Sequence, residues 1–222
     1  MRWKVGQVTI TRIVELETVG HTRFILPAAT HEAILRLPWL IPRFATDEGR
    51  LKMTIHSFVV ETPTRRIVVD TGLGNDKRGR TVPGWNNRQT PFLEMMAAAG
   101  FPPESIDTVL CTHLHVDHVG WNTRLVAGRW VPTFEKARYQ FGRTEYEYWR
   151  DHSVAPDKQE IFHDSVAPIV DAGMADLVAA DARICDEITL IPTPGHSPGH
   201  VSVHIRSLGH EAVLTGDVAH HP

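Results

Sequence analysis

The sequence predicts an α/β (α+β) fold in which two mixed sheets are covered by helices. Three observations carry this. The predicted elements run strands, helix, strand, helices and strands again. The strand candidates alternate or run apolar over short stretches. Four times, an apolar run ends in a turn that delivers a residue with metal-binding chemistry.

Val5 to Val19 alternates through Val8, Ile10, Ile13, Val14 and Leu16, which predicts one strand or a hairpin. Residues 20–50 form an excursion in which Phe24, Ile25, Leu26, Leu35, Leu37, Trp39, Leu40, Ile41 and Phe44 sit among prolines, with one short helix expected over His31–Leu37. It reads either as a loop packed by its own side chains or as a lid or oligomer contact. Met53–Val60 and Arg66–Asp70 predict two strands joined at Glu61-Thr62-Pro63-Thr64. Thr90 as N-cap, Pro91 at the first helical position and Gly100 at the end predict a helix with Met95 and Met96 in the core. Ile106–Leu110 is the next strand, followed by short strands at Arg129–Pro132 and Ala137–Phe141. Gly142–Arg150 is a helix whose Tyr146, Tyr148 and Trp149 are expected in the core. A second helix is expected between Lys158 and Leu177, bent or started at Pro168, and strands at Ile184–Ile191, Val201–Ile205 and Ala212–Leu214 close the chain.

Composition narrows the function. With 222 residues, 42% hydrophobic and 22% charged, the chain can bury a substantial core and is expected to be a single domain over 1–222. A net charge of -3 and no basic run argue against nucleic acid as a partner. Two cysteines far apart argue against a disulfide framework and fit a reducing compartment. No signal-peptide core or membrane-length apolar run is present, so the expectation is a cytoplasmic protein with no membrane partner. Histidine is the outlier: 14 residues, concentrated after position 113, point to metal chemistry.

The densest signal is Thr112-His113-Leu114-His115-Val116-Asp117-His118-Val119-Gly120, with four potential ligands in six residues. Leaving a strand as a loop, His113 and His115 can grip one ion while Asp117 and His118 turn to a second. Asp70, His196 (after Pro192-Thr193-Pro194-Gly195) and Asp217 (after Gly216) share the construction of strand, turn and ligand-type residue. Each is weak alone; a rigid scaffold presenting all four together is a strong signal.

This set resembles the metallo-β-lactamase superfamily, from about Met53 onward. The resemblance implies an αββα sandwich with a metal site at the edge of the sheets. It implies that His113, His115 and His196 bind a first zinc ion, that Asp117 and His118 bind a second, and that Asp217 bridges them. Asp70 would orient a ligand from outside the coordination sphere. The family's seventh ligand is a histidine well beyond the Gly-Asp, so a missing C-terminal strand, helix and ligand are also expected. Among subfamilies the sequence is most similar to N-acyl-homoserine lactonases, including quorum-quenching ones, and to methyl parathion hydrolases. Tyr139–Trp149 and the Leu-rich excursion near Trp39 carry that similarity. Where these lactonases place a substrate-contacting Tyr, this chain has His220.

The expected activity is therefore a dinuclear zinc hydrolase that opens lactones or related esters by attack of a metal-bound hydroxide, with Asp117 carrying a proton to the leaving group. Thioester or organophosphate hydrolysis and a catalytically silent metal-binding protein are the alternatives. The expected partner is a small-molecule substrate, with a homodimer possible.

Overall fold

Residues 2–69 build half of a sheet by antiparallel pairing of neighbours. β1 (Arg2–Val5) and β2 (Val8–Val19) form the expected hairpin, and β2 pairs with β3 (Lys52–Glu61), which pairs with β4 (Arg66–Val69). The computed structural model describes residues 1–20, 22–23, 25–152 and 156–222; Phe24 lies outside them. From β4 the pairing turns parallel through β5 (Thr108–Leu110), β8 (Arg138–Gly142) and β9 (Ala175–Val178). The hairpin of β6 (Thr123–Val126) and β7 (Arg129–Pro132) is inserted before β8. The result is a seven-stranded sheet in the order β1-β2-β3-β4-β5-β8-β9. A second, antiparallel sheet comprises β10 (Ile188–Pro192), β11 (Val201–Ser207) and β12 (His210–Leu214).

Successive residues of the large sheet's middle strands belong to different cores, because side chains alternate across a sheet. Val59, Val68 and Val109 pack towards Phe92 and Met96 of α2 (Phe92–Ala98), Trp149 of α3 (Arg143–His152) and Ile169 of α5 (Ala167–Asp171). Val60, Ile67, Val69 and Leu110 pack towards Leu190, Val203 and Ile205 of the second sheet. Burial on both faces explains why these strands read as continuous apolar runs. The protein is a mixed α+β fold, with packed sheets flanked by helices, as the sequence predicts.

Several expectations are corrected. Met95 is 42% exposed, because only Met96 of the adjacent pair faces the sheet. Thr90 does not cap α2: Pro91 occupies the cap position, and the Thr90 hydroxyl turns to Asn75 and Glu15. The predicted helix from Lys158 to Leu177 divides into α4 (Pro156–Ser165) and α5, begun by Pro168, and its last residues form β9 against β8. The strand expected from Ile184 begins at Ile188.

The 20–50 excursion packs largely on itself. Its short helix α1 (His31–Leu35) is capped by Thr30, whose Oγ1 accepts from the Ala33 N–H at 3.2 Å. Ile34, Leu40, Ala45 and Leu51 form a separate small core. Leu35, Leu37 and Trp39 stay exposed.

Candidate metal centre

The centre is assembled from four strand ends. β4 and β5 run parallel with Val69 opposite Leu110, which sets the turns after them side by side. Asp70 follows β4 with a φ of 57°, a left-handed conformation that Asp tolerates better than most residues. That turn aims its carboxylate back at the neighbouring loop. It accepts from the Thr112 N–H (2.7 Å) and hydroxyl (2.9 Å), and its Oδ2 lies 2.9 Å from His118 Nδ1. Asp70 therefore joins the Thr112 backbone to the His118 ring.

The two turns are also joined through backbone. Thr71 N–H donates to the His118 carbonyl (2.8 Å), Gly120 N–H to Gly72 (2.7 Å) and Trp121 N–H to Thr71 (2.9 Å). Glu15, which sequence reading passed over, holds the same turn from below. It shares the inward face of Ile13, at a bulge between Val14 and Leu16, and accepts from the Leu73 and Gly74 N–H groups and from Trp121 Nε1. Burial raises its pKa, a push only partly offset by those hydrogen bonds.

The second sheet supplies His196 after β10 and Asp217 after β12. His200, also missed, fixes the latter: its Nδ1 lies 2.8 Å from Thr193 Oγ1, and its Nε2 accepts the Asp217 N–H at 3.0 Å. Nothing in its spacing separates it from a core histidine.

The nitrogens of His113, His115 and His196 converge, with His113 Nε2 3.0 Å and His196 Nε2 2.8 Å from His115 Nδ1. His113, His118 and Asp217 form a second three-donor group, and His196, Asp217 and His220 a third. Asp217 links all sides: Oδ1 is 3.3 Å from His118 Nε2, and Oδ2 is 3.4 Å from His196 Nε2 and 3.1 Å from His220 Nε2. Among the described residues, Asp117 stands outside these groups, its Oδ1 3.8 Å from His118 Nε2. His220, expected to face a substrate, turns its Nε2 to Asp217 instead while still lining the cavity beside the centre.

Electrostatics suits a cation. Burial, reinforced by the neighbouring imidazoles, holds His113 well below the ordinary histidine range, and burial also lowers His196. Both therefore present neutral rings, the form that binds metal. Burial alone would lower His118, but Asp70, Asp117 and Asp217 together raise it. Burial raises Asp117, with the charge of Asp217 adding to it. For Asp217 burial opposes ionisation, but the contact with His118 prevails and the carboxylate is held well below its usual range. Imidazole nitrogens combined with a shared carboxylate fit zinc and its d-block neighbours.

The family described as the Metallo-beta-lactamase superfamily matches residues 52–222. The chain belongs to the metallo-beta-lactamase superfamily. Within it, the N-acyl homoserine lactonase AiiA of Bacillus thuringiensis subsp. kurstaki is 24% identical over 176 residues, covering 74% of this chain and 63% of that protein. The chain thus spans under two thirds of the length of the curated relatives it matches. Among superfamily structures, the hydrolase AbOPH superposes with a TM-score of 0.73 at 23% identity, covering 99% of this chain and 74% of that one. AidC, described as a dizinc quorum-quenching lactonase, superposes with a TM-score of 0.69 at 18% identity, covering 99% and 74%.

A cavity of about 730 Å³ opens at the centre. Met53, Ile55, Phe58, Val82, Trp85 and Phe162 are among its apolar walls, and Gly20, Thr22 and Ile25 of the excursion reach its rim. The excursion is thus a self-packed loop that also borders the pocket. None of the helices, among the described residues, is long and apolar enough to cross a membrane.

Proposed function

We propose that this chain is the metal-binding portion of a hydrolase that opens lactones or related esters bearing an apolar substituent. The observation that carries the reading is the cluster of imidazole and carboxylate donors at the mouth of a largely apolar cavity. The lactonase relatives support the same choice of substrate. His113, His115, His118, His196 and Asp217 would hold the metal, with zinc the expected ion and two ions per chain the expected number. When bound, the metal supplies Lewis-acid polarisation of the carbonyl and activation of water.

The chain's own groups do the rest. Asp70 keeps His118 in one orientation through the 2.9 Å contact. Asp117, beside the cluster and with its pKa raised by burial, would take the proton released by the attacking water and pass it to the leaving alkoxide. His220 lines the cavity and would donate a hydrogen bond from Nε2 to the substrate carbonyl once it leaves Asp217. The cavity walls exclude water from the acyl substituent, and each methylene buried there is worth about 0.8 kcal/mol, roughly a fourfold gain in kcat/KM.

The test combines metal analysis with a proton-release assay on lactones of increasing acyl length. The expected result is bound zinc, ring opening that improves with chain length, and an Asp117→Asn variant that keeps its metal but loses about 100-fold or more in kcat. Bound metal without ring opening of any lactone would indicate a silent metal-binding protein instead. An Asp117→Asn variant at parental kcat would remove Asp117 from the mechanism.

A further inference from the structure

Glu145 is a buried carboxylate that the chemistry above leaves unused. It lies on α3, four residues before Trp149, and is 1% exposed. Its Oε1 accepts from the Leu114 N–H at 3.1 Å and from Trp149 Nε1 at 2.7 Å. Its Oε2 accepts from the Ser197 hydroxyl and from the Gly199 N–H, both at 2.9 Å. Four donors thus meet the roughly four acceptor positions of an ionised carboxylate. Their location matters more than their number. Leu114 sits between His113 and His115, Ser197 follows His196, and Gly199 precedes His200. One side chain grips two loops that hang from different sheets, and both loops carry convergent imidazoles.

The packing around the clamp is close. A Cβ on Gly199 would lie 2.2 Å from the Glu145 backbone nitrogen, so helix and loop touch main chain to main chain. The Trp149 ring, held by the same carboxylate, stands edge-on to His115 with centroids 5.3 Å apart.

We infer that Glu145 is a positioning residue: it sets the separation of His113 and His115 from His196, and with it the affinity and geometry of the metal site. This rests on the metal reading proposed above. Hydrogen bonds behind metal ligands change affinity about 10–100-fold when removed, and here one group serves two ligand-bearing loops. Gln is the informative replacement. Its amide NH₂ can face Ser197, whose hydroxyl reverses to accept, but it then meets the Gly199 N–H donor to donor. Turned round, it opposes both Leu114 and Trp149. Glu145→Gln therefore releases the His196 loop first and leaves most of the fold's contacts in place.

The experiment titrates Co²⁺ into the metal-free full chain and into Glu145→Gln, Ser197→Ala and Ile169→Val. The readouts are the dissociation constant, the visible absorption bands of bound Co²⁺ and the urea midpoint of each metal-free protein. Ile169 lies in the helix-side core and its backbone bonds to Val166 and Met174, so its truncation lowers stability while all four Glu145 hydrogen bonds keep their partners. The expected result is Co²⁺ affinity about 10–100-fold weaker in Glu145→Gln, with altered bands. Ser197→Ala should show a smaller loss in the same direction, and Ile169→Val parental affinity and bands despite a lower urea midpoint. Parental affinity and bands in Glu145→Gln overturn the inference. If that variant does not fold, parental behaviour of Ser197→Ala does so. Loss of affinity in Ile169→Val also overturns it, since binding would then follow stability alone. A parent chain that takes up no Co²⁺ overturns the metal reading itself.

Discussion

Replacing Gly120 by alanine should be among the most damaging single changes in this chain, although it removes no ligand and adds one methyl group. The Cβ would lie 1.9 Å from the carbonyl carbon of Leu73, 2.0 Å from its oxygen and 2.5 Å from the Gly74 nitrogen. All three are backbone atoms, so no side chain can swing aside. Restoring ordinary contact requires the loop after β5 and the turn after β4 to part by about 1.5 Å. The two bonds across that seam made by Gly120 and its neighbour, Gly120 to Gly72 at 2.7 Å and Trp121 to Thr71 at 2.9 Å, would then exceed hydrogen-bonding distance. Two buried pairs at about 1 kcal/mol each, plus about 2 kcal/mol of overpacking, give about 4 kcal/mol. That is a large part of the 5–15 kcal/mol that typically holds a domain together. Urea unfolding of the metal-free protein measures it: with a slope of about 3 kcal/mol/M the midpoint falls by about 1.3 M. Gly84, where an added Cβ would meet nothing within 4 Å, is the control, and alanine there should leave the midpoint within about 0.2 M. A shift under 0.3 M for Gly120→Ala, by the same about 3 kcal/mol/M slope, would refute the claim that this seam is rigid.

Two further outcomes are expected. Lys77 is fully buried, donating to Thr123 Oγ1 (2.6 Å) and the Asp164 carbonyl (3.0 Å), with its Nζ 3.6 Å from the centre of the Trp130 ring. Burial lowers its pKa to about 7, against the pull of Asp164. Between that value and the ordinary lysine value of about 10.4, the unfolded chain binds the proton and the folded chain does not, so stability rises with pH across this window and is flat below it, where both states are protonated. The slope should reach up to about 1.4 kcal/mol per pH unit. Urea midpoints at pH 7 and 9 should show the rise in the parent and lose it in Lys77→Met; a flat parent profile would refute the assignment. Chelation should lower the thermal midpoint by about 5–10 °C, since a metal present at 100 times its dissociation constant contributes about 2.7 kcal/mol. Restoring zinc should recover it, and a midpoint indifferent to both treatments would argue that the donor cluster holds no ion.

The parts of the site that could be read in sequence are those whose signal is local. His113, His115 and His118 share one loop, and Asp70, His196 and Asp217 each follow an apolar run and a turn residue. Their side chains act where the chain leaves a strand, so order along the sequence maps onto place in the fold. Glu15, Glu145 and His200 act through contacts with distant segments. Glu145 had one available signal, its four-residue spacing from Trp149, which sets an acid on an apolar helix face. Glu15 was concealed because its partners, Leu73, Gly74 and Trp121, lie far along the chain. The segment Ala175–Val178 shows tertiary context overriding propensity: Met174-Ala175-Asp176-Leu177 reads as a helix continuing, but the free edge of β8 offers it a parallel pairing. Thr90 likewise suits a cap, yet a buried acid competes for its hydroxyl.

The donors are drawn from the middle and the C-terminal part of the chain, and this constrains when an ion can enter. The two groups that include His113 join it and its loop neighbours, which hang from the first sheet, to His196 or Asp217, which hang from the second; the third group, His196, Asp217 and His220, hangs from the second sheet alone. A growing or refolding chain therefore cannot assemble either group containing His113 until the two sheets have docked. Because the docking contacts are so distant in sequence, that event comes late. An ion bound only after the rate-limiting docking step cannot hasten it; it can only slow its reversal. In kinetic terms, zinc concentration should leave the refolding rate unchanged and lower the unfolding rate, making the ion a latch on the finished molecule and not a nucleus for its formation.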